Sequence, residues 1–262
     1  MLAVASPKLD ELFAAIGTCG CGVLLTDPDG VVLDSRCRAG DAEVFRAWGL
    51  IPGVDWSEAA QGTNGIGTCL VERRALIIHR DQHFFPHNIG MSCIDAPVYG
   101  ADATLVAALD VSSARADQTE GFNRLIAAMV AQIAQQIEID LFRAAFARHR
   151  IVLPRESASP GVALLAVDED DVVVGATRDA RRLHGLEPTG PVRPRPLVDV
   201  IGRDREQKGL RGAERAAVIR ALTRAGGNVS EAARALGIGR ATLYRRMKRL
   251  GIASTHPKVS QD

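Results

Sequence analysis

The chain has 262 residues, 47% hydrophobic and 24% charged, which places it among ordinary soluble proteins of one to three domains. Its apolar runs are no longer than a strand and residues 1–16 lack the basic start of a signal peptide, so no membrane span is expected and the cytoplasm is the expected compartment. The net charge of +1 conceals a division, because residues 203–252 carry thirteen Lys and Arg against four Asp and Glu, a net of +9 that leaves −8 on residues 1–202: a basic module suited to phosphates on an acidic body that is not.

Leu9, Leu12, Phe13 and Ile16 recur at helical spacing and predict a short amphipathic helix near the N-terminus. Gly22–Leu25, the turn Asp27-Pro28-Asp29-Gly30 and Val31–Leu33 predict a β-hairpin. Asp41–Trp48 predicts a helix, and residues 51–67 a loop-rich stretch. Ala75–His79, Met91–Tyr99 and Thr104–Ser112 predict strands, the last two joined by Gly100-Ala101-Asp102-Ala103. From Thr119 to His149 the apolar residues Phe122, Ile126, Met129, Ile133, Ile137 and Leu141 recur every three or four positions and predict one long helix, either a dimer seam or a cover for its own sheet. An antiparallel sheet bracketed by helices makes this region an α+β domain.

Within it, Trp56-Ser57-Glu58, the run Gly62-Thr63-Asn64-Gly65-Ile66-Gly67-Thr68, His83-Phe84, Cys93 and Ala96-Pro97 resemble the sensory GAF domain of acetoin-type enhancer-binding activators, over about residues 20–145. The resemblance implies a small-molecule sensor, commonly dimeric through its flanking helices. Trp56, Thr63, Asn64, His83 and Cys93 are the residues expected to line or support the effector pocket; the alternative is that Gly62–Gly67 is only a tight structural turn. Ile94-Asp95 departs from the hydroxyl and small residues usual after that cysteine, and an acid there implies altered ligand chemistry.

His79, His83 and His87 fall at i, i+4 and i+8 near Cys93, a spacing that on one helix would suit a transition metal or haem. Pro86 interrupts such a helix, so polar pocket or surface histidines are expected and no metal or other cofactor is assigned. The five cysteines, Cys19, Cys21, Cys37, Cys69 and Cys93, are an odd number in a chain expected to be cytosolic, so free, inert, buried thiols are the expectation. Thiol-based sensing and a GAF-type methionine sulfoxide reductase are the competing readings.

Val162–Val167, the acidic turn Asp168–Asp171 and Val172–Val174 repeat the logic of the first hairpin, and Ala176–Leu183 predicts a helix. This resembles the opening of a PAS domain but is too short for a complete one, so residues 151–187 are expected to be a PAS-like remnant. Pro188, Gly190, Pro191, Pro194 and Pro196 then predict an extended linker over 188–209.

Residues 210–254 end in two short helices joined by a glycine-bearing turn. Asn228 or Ser230 caps the first, whose inner face is Ala232, Ala233 and Leu236; Gly237 and Gly239 flank Ile238 in the turn. Leu243, Met247 and Leu250 point inward from the second, leaving an arginine-rich outer surface of the kind a major groove accepts. The pair Gly227-Asn228, the run Ala232–Gly237, and Thr242-Leu243-Tyr244 followed by Arg245 and Arg246 resemble the Fis-type helix-turn-helix of the same activators, over Glu214–Ile252. Asn228, Ser230, Arg240, Ala241, Thr242, Tyr244, Arg245, Arg246 and Arg249 are the residues expected at DNA, with Tyr244 more a positioning group. The plainer alternative is a basic helix pair packing on its own protein.

Those activators usually carry an ATPase between sensor and DNA-binding module. Here no G-x-x-x-x-G-K-[ST] occurs, none of the lysines following a glycine, so the chain is expected to bind, block or recruit rather than to hydrolyse ATP, and not to be an enzyme. The expected organisation is a GAF-like sensor with flanking helices at 1–150, the PAS-like remnant at 151–187, the linker at 188–209 and an all-α helix-turn-helix at 210–254. The expected function is a homodimeric transcriptional regulator with double-stranded DNA, a small-molecule effector and RNA polymerase as candidate partners, and no membrane. The alternative is an architectural DNA-binding protein with a vestigial sensor.

Overall fold

Asp27 closes the first hairpin: its Oδ1 accepts the backbone N–H groups of Asp29 and Val31, each at 2.9 Å. Gly30 completes the turn at φ 95°, which a side chain would resist. From this turn run β1 (Cys21–Thr26) and β2 (Val32–Arg36), and β3 (Leu76–His79), β4 (Ser92–Tyr99) and β5 (Leu105–Ser113) complete an antiparallel sheet in the order β2-β1-β5-β4-β3. The computed structural model describes residues 1–113, 115, 119–154, 162–202 and 210–252.

All six residues of β1 are buried, because both faces of the sheet are covered. On one face Val23, Leu25, Ile94, Ala96, Val98, Leu109 and Val111 meet α1 (Leu2–Ile16) and α5 (Glu120–Ala145). α1 contributes Ala5, Leu9, Leu12 and Ile16; α5 contributes Ile126, Val130, Ile133 and Ile137. Each large side chain so buried contributes roughly 1.5–3 kcal/mol before entropy is counted. On the other face Leu24, Cys93 and Ala108 meet Phe45 of α2 (Ala42–Ala47), Trp56, and Ile66, Cys69 and Leu70 of α4 (Gly65–Glu72).

Residues 51–67, expected to be loop-rich, also hold one short helix and the start of another. α3 (Glu58–Gln61) is capped by Ser57, whose Oγ accepts from Ala60 N, and α4 by Asn64, whose Oδ1 accepts from Gly67 N at 2.9 Å. α5 ends at Ala145 rather than running to His149, since Phe146 turns in against Gly175 and the chain enters the next strand. α5 also has the length and mean hydropathy, 1.3 over 18 residues, of a membrane span, although no such stretch was expected. Its buried stripe packs on the sheet, so the apolar content is that of an amphipathic core helix.

A second antiparallel sheet follows, β6 (Arg150–Val152), β7 (Leu165–Val167), β8 (Val172–Ala176) and β9 (Arg195–Pro196) in sequential order. Asp168 closes the β7–β8 turn as Asp27 does the first, its Oδ1 accepting from Asp170 N and Val172 N. The linker expected at 188–209 does not hold as far as Ile201. Arg195 and Pro196 pair with β8, α7 (Leu197–Val200) follows, and Val192 is buried in the small core. Arg181 of α6 (Arg178–His184) organises this return: buried, it donates to the carbonyls of Ala176, Glu187 and Gly190 at 2.7–2.8 Å. Residues 155–161 and 203–209, parts of the expected remnant and linker, lie outside the described residues, as do 253 and 254 of the expected C-terminal module.

The chain divides into two compact units, Met1–Ile201 and Gly202–Asp262. In the second, α8 (Leu210–Arg224), α9 (Val229–Ala235) and α10 (Arg240–Arg249) enclose Val218, Ala221, Val229, Ala232, Ala233, Leu243, Met247 and Leu250. Asn228 is the cap of α9, its Oδ1 accepting from Ser230 N and Glu231 N. Of the turn glycines only Gly237 has positive φ, 64°; Gly239 is the extended N-cap of α10.

Candidate functional site

The surface of α10 follows from its phase. Leu243, Met247 and Leu250 are buried, so the residues half a turn away, Ala241, Arg245 and Lys248, point directly outward, and all three are exposed. Lys248 was not among the residues expected from the sequence, although its i+7 spacing from Ala241 marks the same stripe. Toward one flank lies Arg240, its guanidinium 5.6 Å from the ring centroid of half-buried Tyr244, which packs against the helical core. On the other flank are Thr242, Arg246 and Arg249. Arg245 Nη2 lies 3.5 Å from Thr242 Oγ1. Arg246 Nη1 is 3.2 Å from Glu214 Oε1, and Arg249 Nη2 donates to the same oxygen at 2.6 Å. Ser230 is exposed in the first turn of α9, while Asn228 has its side-chain oxygen engaged in the cap.

In the first unit, four of the five expected pocket residues are buried beneath or beside α4. Trp56 Nε1 donates to Gly49 O at 2.9 Å, and Asn64 both caps α4 and donates to Gly62 O. His83 Nδ1 lies 2.9 Å from Arg80 O and its Nε2 3.4 Å from Cys93 Sγ. The carbonyl contact requires the proton on Nδ1, so Nε2 is left to accept from the thiol. Burial lowers the His83 pKa and keeps the ring neutral. Thr63 is instead exposed, joined to the neighbouring loop through its carbonyl, which accepts from Phe84 N. A cleft of about 160 Å³ between Gly20, Asp41, Val44, Phe45 and Arg115 is bordered by none of the five.

Beside Cys93 the sheet carries two carboxyl groups directly opposite each other, Asp95 on β4 and Asp110 on β5, both buried. Their row continues to Leu76 on one side and Leu24 on the other. Ser112 Oγ donates to Asp110 Oδ2 at 2.8 Å and lies 3.2 Å from Cys93 Sγ. The other three carboxyl oxygens have no hydrogen-bond partner among the described residues. Loss of water raises both acids well above the usual carboxylate range, and their mutual repulsion adds to the effect on Asp95. Asp95 was legible as a departure from the family pattern, but Asp110 was missed. Its signal is an acid set alone in the apolar strand Leu105–Val111.

α4 seals this face. A methyl group on Gly65 would overlap the Asp95 carboxyl and the Cys93 Cβ, so the glycine is there for close approach rather than for a turn. Gly65→Ala is expected to destabilise the first unit by roughly 1–3 kcal/mol in urea unfolding followed by tryptophan fluorescence. An unchanged midpoint would mean that α4 does not press on the sheet.

The three histidines do not converge. His79 Nδ1 is 2.6 Å from Ser92 Oγ and 3.4 Å from Asn123 Nδ2 of α5, whereas exposed His87 stacks on Phe85. Among the described residues no group of three metal-ligating side chains occurs. Burial pushes the Cys21 thiol up to about 11 and raises Cys69 and Cys93 as well, which leaves little thiolate for redox or nucleophilic chemistry at these three.

Comparison with known proteins is consistent with two modules. Residues 2–141 match the family model described as GAF domain, and residues 209–250 that described as bacterial regulatory protein, Fis family. The acetoin catabolism regulatory protein of Cupriavidus necator is 34% identical over 182 residues, 68% of this chain and 27% of that protein. The propane 2-monooxygenase operon transcriptional activator MimR of Mycolicibacterium goodii is 49% identical over 101 residues, 37% of this chain and 17% of that protein. The chain thus spans between a sixth and three tenths of the length of these relatives. Among solved structures, the Escherichia coli DhaR(N)–DhaL complex contains a chain matched with a TM-score of 0.50 at 15% identity, over 76% of this chain and 67% of that one, a likeness of fold alone.

Proposed function

Because this chain belongs to the GAF-domain family and carries a Fis-family regulatory segment at its other end, we propose that it is a DNA-binding transcriptional regulator whose GAF-type domain senses a small molecule. The observation that carries the reading is the outward stripe Ala241, Arg245 and Lys248, on a helix whose opposite side is anchored in a three-helix core. Arg245 and Lys248 are the side chains best placed for base edges, with Ala241 making close approach possible and Ser230, Arg240, Thr242, Arg246 and Arg249 at the rim toward phosphates. Asn228 and Tyr244 act through the positions they hold.

The effector is proposed to act on the sheet face under α4, which carries Cys93 and the carboxyl pair, with His83 against Cys93 and Asn64 capping α4. Acetoin is the first compound to test, since one relative is named for acetoin catabolism. A homodimer through α1 and α5 is supported by exposed apolar residues on both helices, Leu2 on α1 and Leu125, Ala128 and Ala131 on α5. Two recognition helices would then enter successive major grooves about 34 Å apart. Control is proposed to act without ATP hydrolysis, in the cytoplasm, by altering the access or recruitment of RNA polymerase.

The test is to present fragmented genomic DNA of the source organism to the purified chain and sequence what is retained. Recovery of a shared two-fold-symmetric element is expected. Retention without sequence preference would favour the architectural alternative.

A further inference from the structure

The Fis-type segment is basic nearly throughout, yet the acid Glu214 lies against its recognition helix. Glu214 projects from α8, its side chain 21% exposed, and one carboxylate is shared by two guanidiniums of α10. Arg246 approaches Oε1 at 3.2 Å, and Arg249 donates to both oxygens. Arg246 and Arg249 are three residues apart, on the flank of α10 that faces α8, whereas Arg245 and Lys248 point away from it. The Arg246 and Arg249 side chains are 42% and 62% exposed, so water screens the pairing and its contribution to stability is modest. A carboxylate so close to a duplex, which carries one negative charge for about every 1.7 Å of axis, weakens binding to any sequence. Little gained in folding and something lost in general affinity is the pattern of a group that sharpens discrimination.

We propose that Glu214 is a positioning residue for DNA recognition, holding Arg246 and Arg249 to the α8 side so that the outward stripe alone reads bases. The inference rests on the DNA-binding reading above and names how that same surface selects its sequence. With Glu214 charged, the two arginines are fixed by a partner in their own domain and meet only those phosphates that come to that rim. With it neutralised, both gain long, mobile reach along the backbone of any duplex.

The test compares the whole 262-residue chain with its Glu214→Gln variant by fluorescence anisotropy, using a duplex of the genomic element retained in the preceding experiment and a shuffled duplex, from about 50 to about 300 mM KCl. Glutamine keeps the shape and an acceptor oxygen, so folding is preserved, which thermal unfolding checks. Expected for Glu214→Gln are a three- to ten-fold gain in affinity for the shuffled duplex at low salt, a smaller gain for the element, and a slope of log K against log salt steeper by about one. Adding Arg249→Gln to Glu214→Gln should return the slope toward the wild-type value, because the effect passes through that guanidinium. An unchanged ratio of the two affinities, or an equal fall in both with a lowered melting temperature, would overturn the proposal and leave Glu214 a structural ion-pair partner. Failure of the wild-type chain to bind either duplex would instead overturn the DNA-binding reading itself, and the unsubstituted protein alone reports that.

Discussion

Replacing Arg245 by alanine is expected to weaken binding to the preferred element by roughly 1–3 kcal/mol and to relax the sequence requirement at one position of each half-site. The side chain is exposed at the centre of the outward stripe, half a turn from the buried Leu243–Met247 seam that fixes the helix, so removing it alters the interface without touching the core. A selection on a randomised element, repeated with the variant, reads the relaxed position directly. Equal loss on every sequence would assign Arg245 to a phosphate. Lys248→Ala serves as the companion: a more flexible point charge than a guanidinium, it should cost less than Arg245, with the loss again larger on the element than on shuffled sequence.

A second large effect is expected from Asp95→Asn in the first unit. In the folded chain Asp95 and Asp110 hold protons that the unfolded chain releases above about pH 4. A carboxyl pKa raised by folding gives stability that is complete below the unfolded value and is lost as pH climbs through the folded one. Glu138, pushed up to about 7 by burial behind Tyr99, acts in the same direction. Wild type should therefore lose stability from these groups between about pH 5 and pH 8. The asparagine cannot ionise and can donate to Asp110, so it should be roughly 1–3 kcal/mol more stable than wild type at pH 8. Urea unfolding followed by tryptophan fluorescence measures it, since Trp48 and Trp56 both lie in this unit. The advantage should grow from pH 5 to pH 8. A constant difference would mean that the pair titrates alike in both states.

Much of this fold is written in local signals. Asp27 and Asp168 each precede a turn and then an apolar run, and each closes its hairpin with the same two backbone bonds. Asn228 and the Leu243, Met247, Leu250 spacing likewise specify the cap and inner seam of the C-terminal helices without help from distant residues.

The features that escaped depend on partners far away in sequence. α4 begins Gly65-Ile66-Gly67, poor helix-forming chemistry that local rules assign to a loop. Glycine is required because Gly65 presses on β4 and Gly67 on the start of α3. Arg195-Pro196 carries linker composition, but Arg181 draws the chain back by binding carbonyls on both sides of the return. The end of α5 is set by Phe146 filling the space above Gly175, a residue nearly thirty positions on. At the candidate sites the same division holds. Asp95 stood out by itself, but its meaning depends on Asp110 across the ladder, and the roles of Arg246 and Arg249 depend on Glu214 more than thirty residues earlier.

Engagement of duplex DNA by the arginine-bearing C-terminal unit is the proposal on which the regulatory reading stands. A salt titration of the full chain on the retained genomic element tests it most directly. Tight binding is expected at 50 mM KCl, weakening along a straight log–log line with a slope showing several counterions displaced, and with a weaker complex on shuffled sequence throughout. No measurable complex with any duplex at that salt, with the protein folded by its fluorescence, would contradict it.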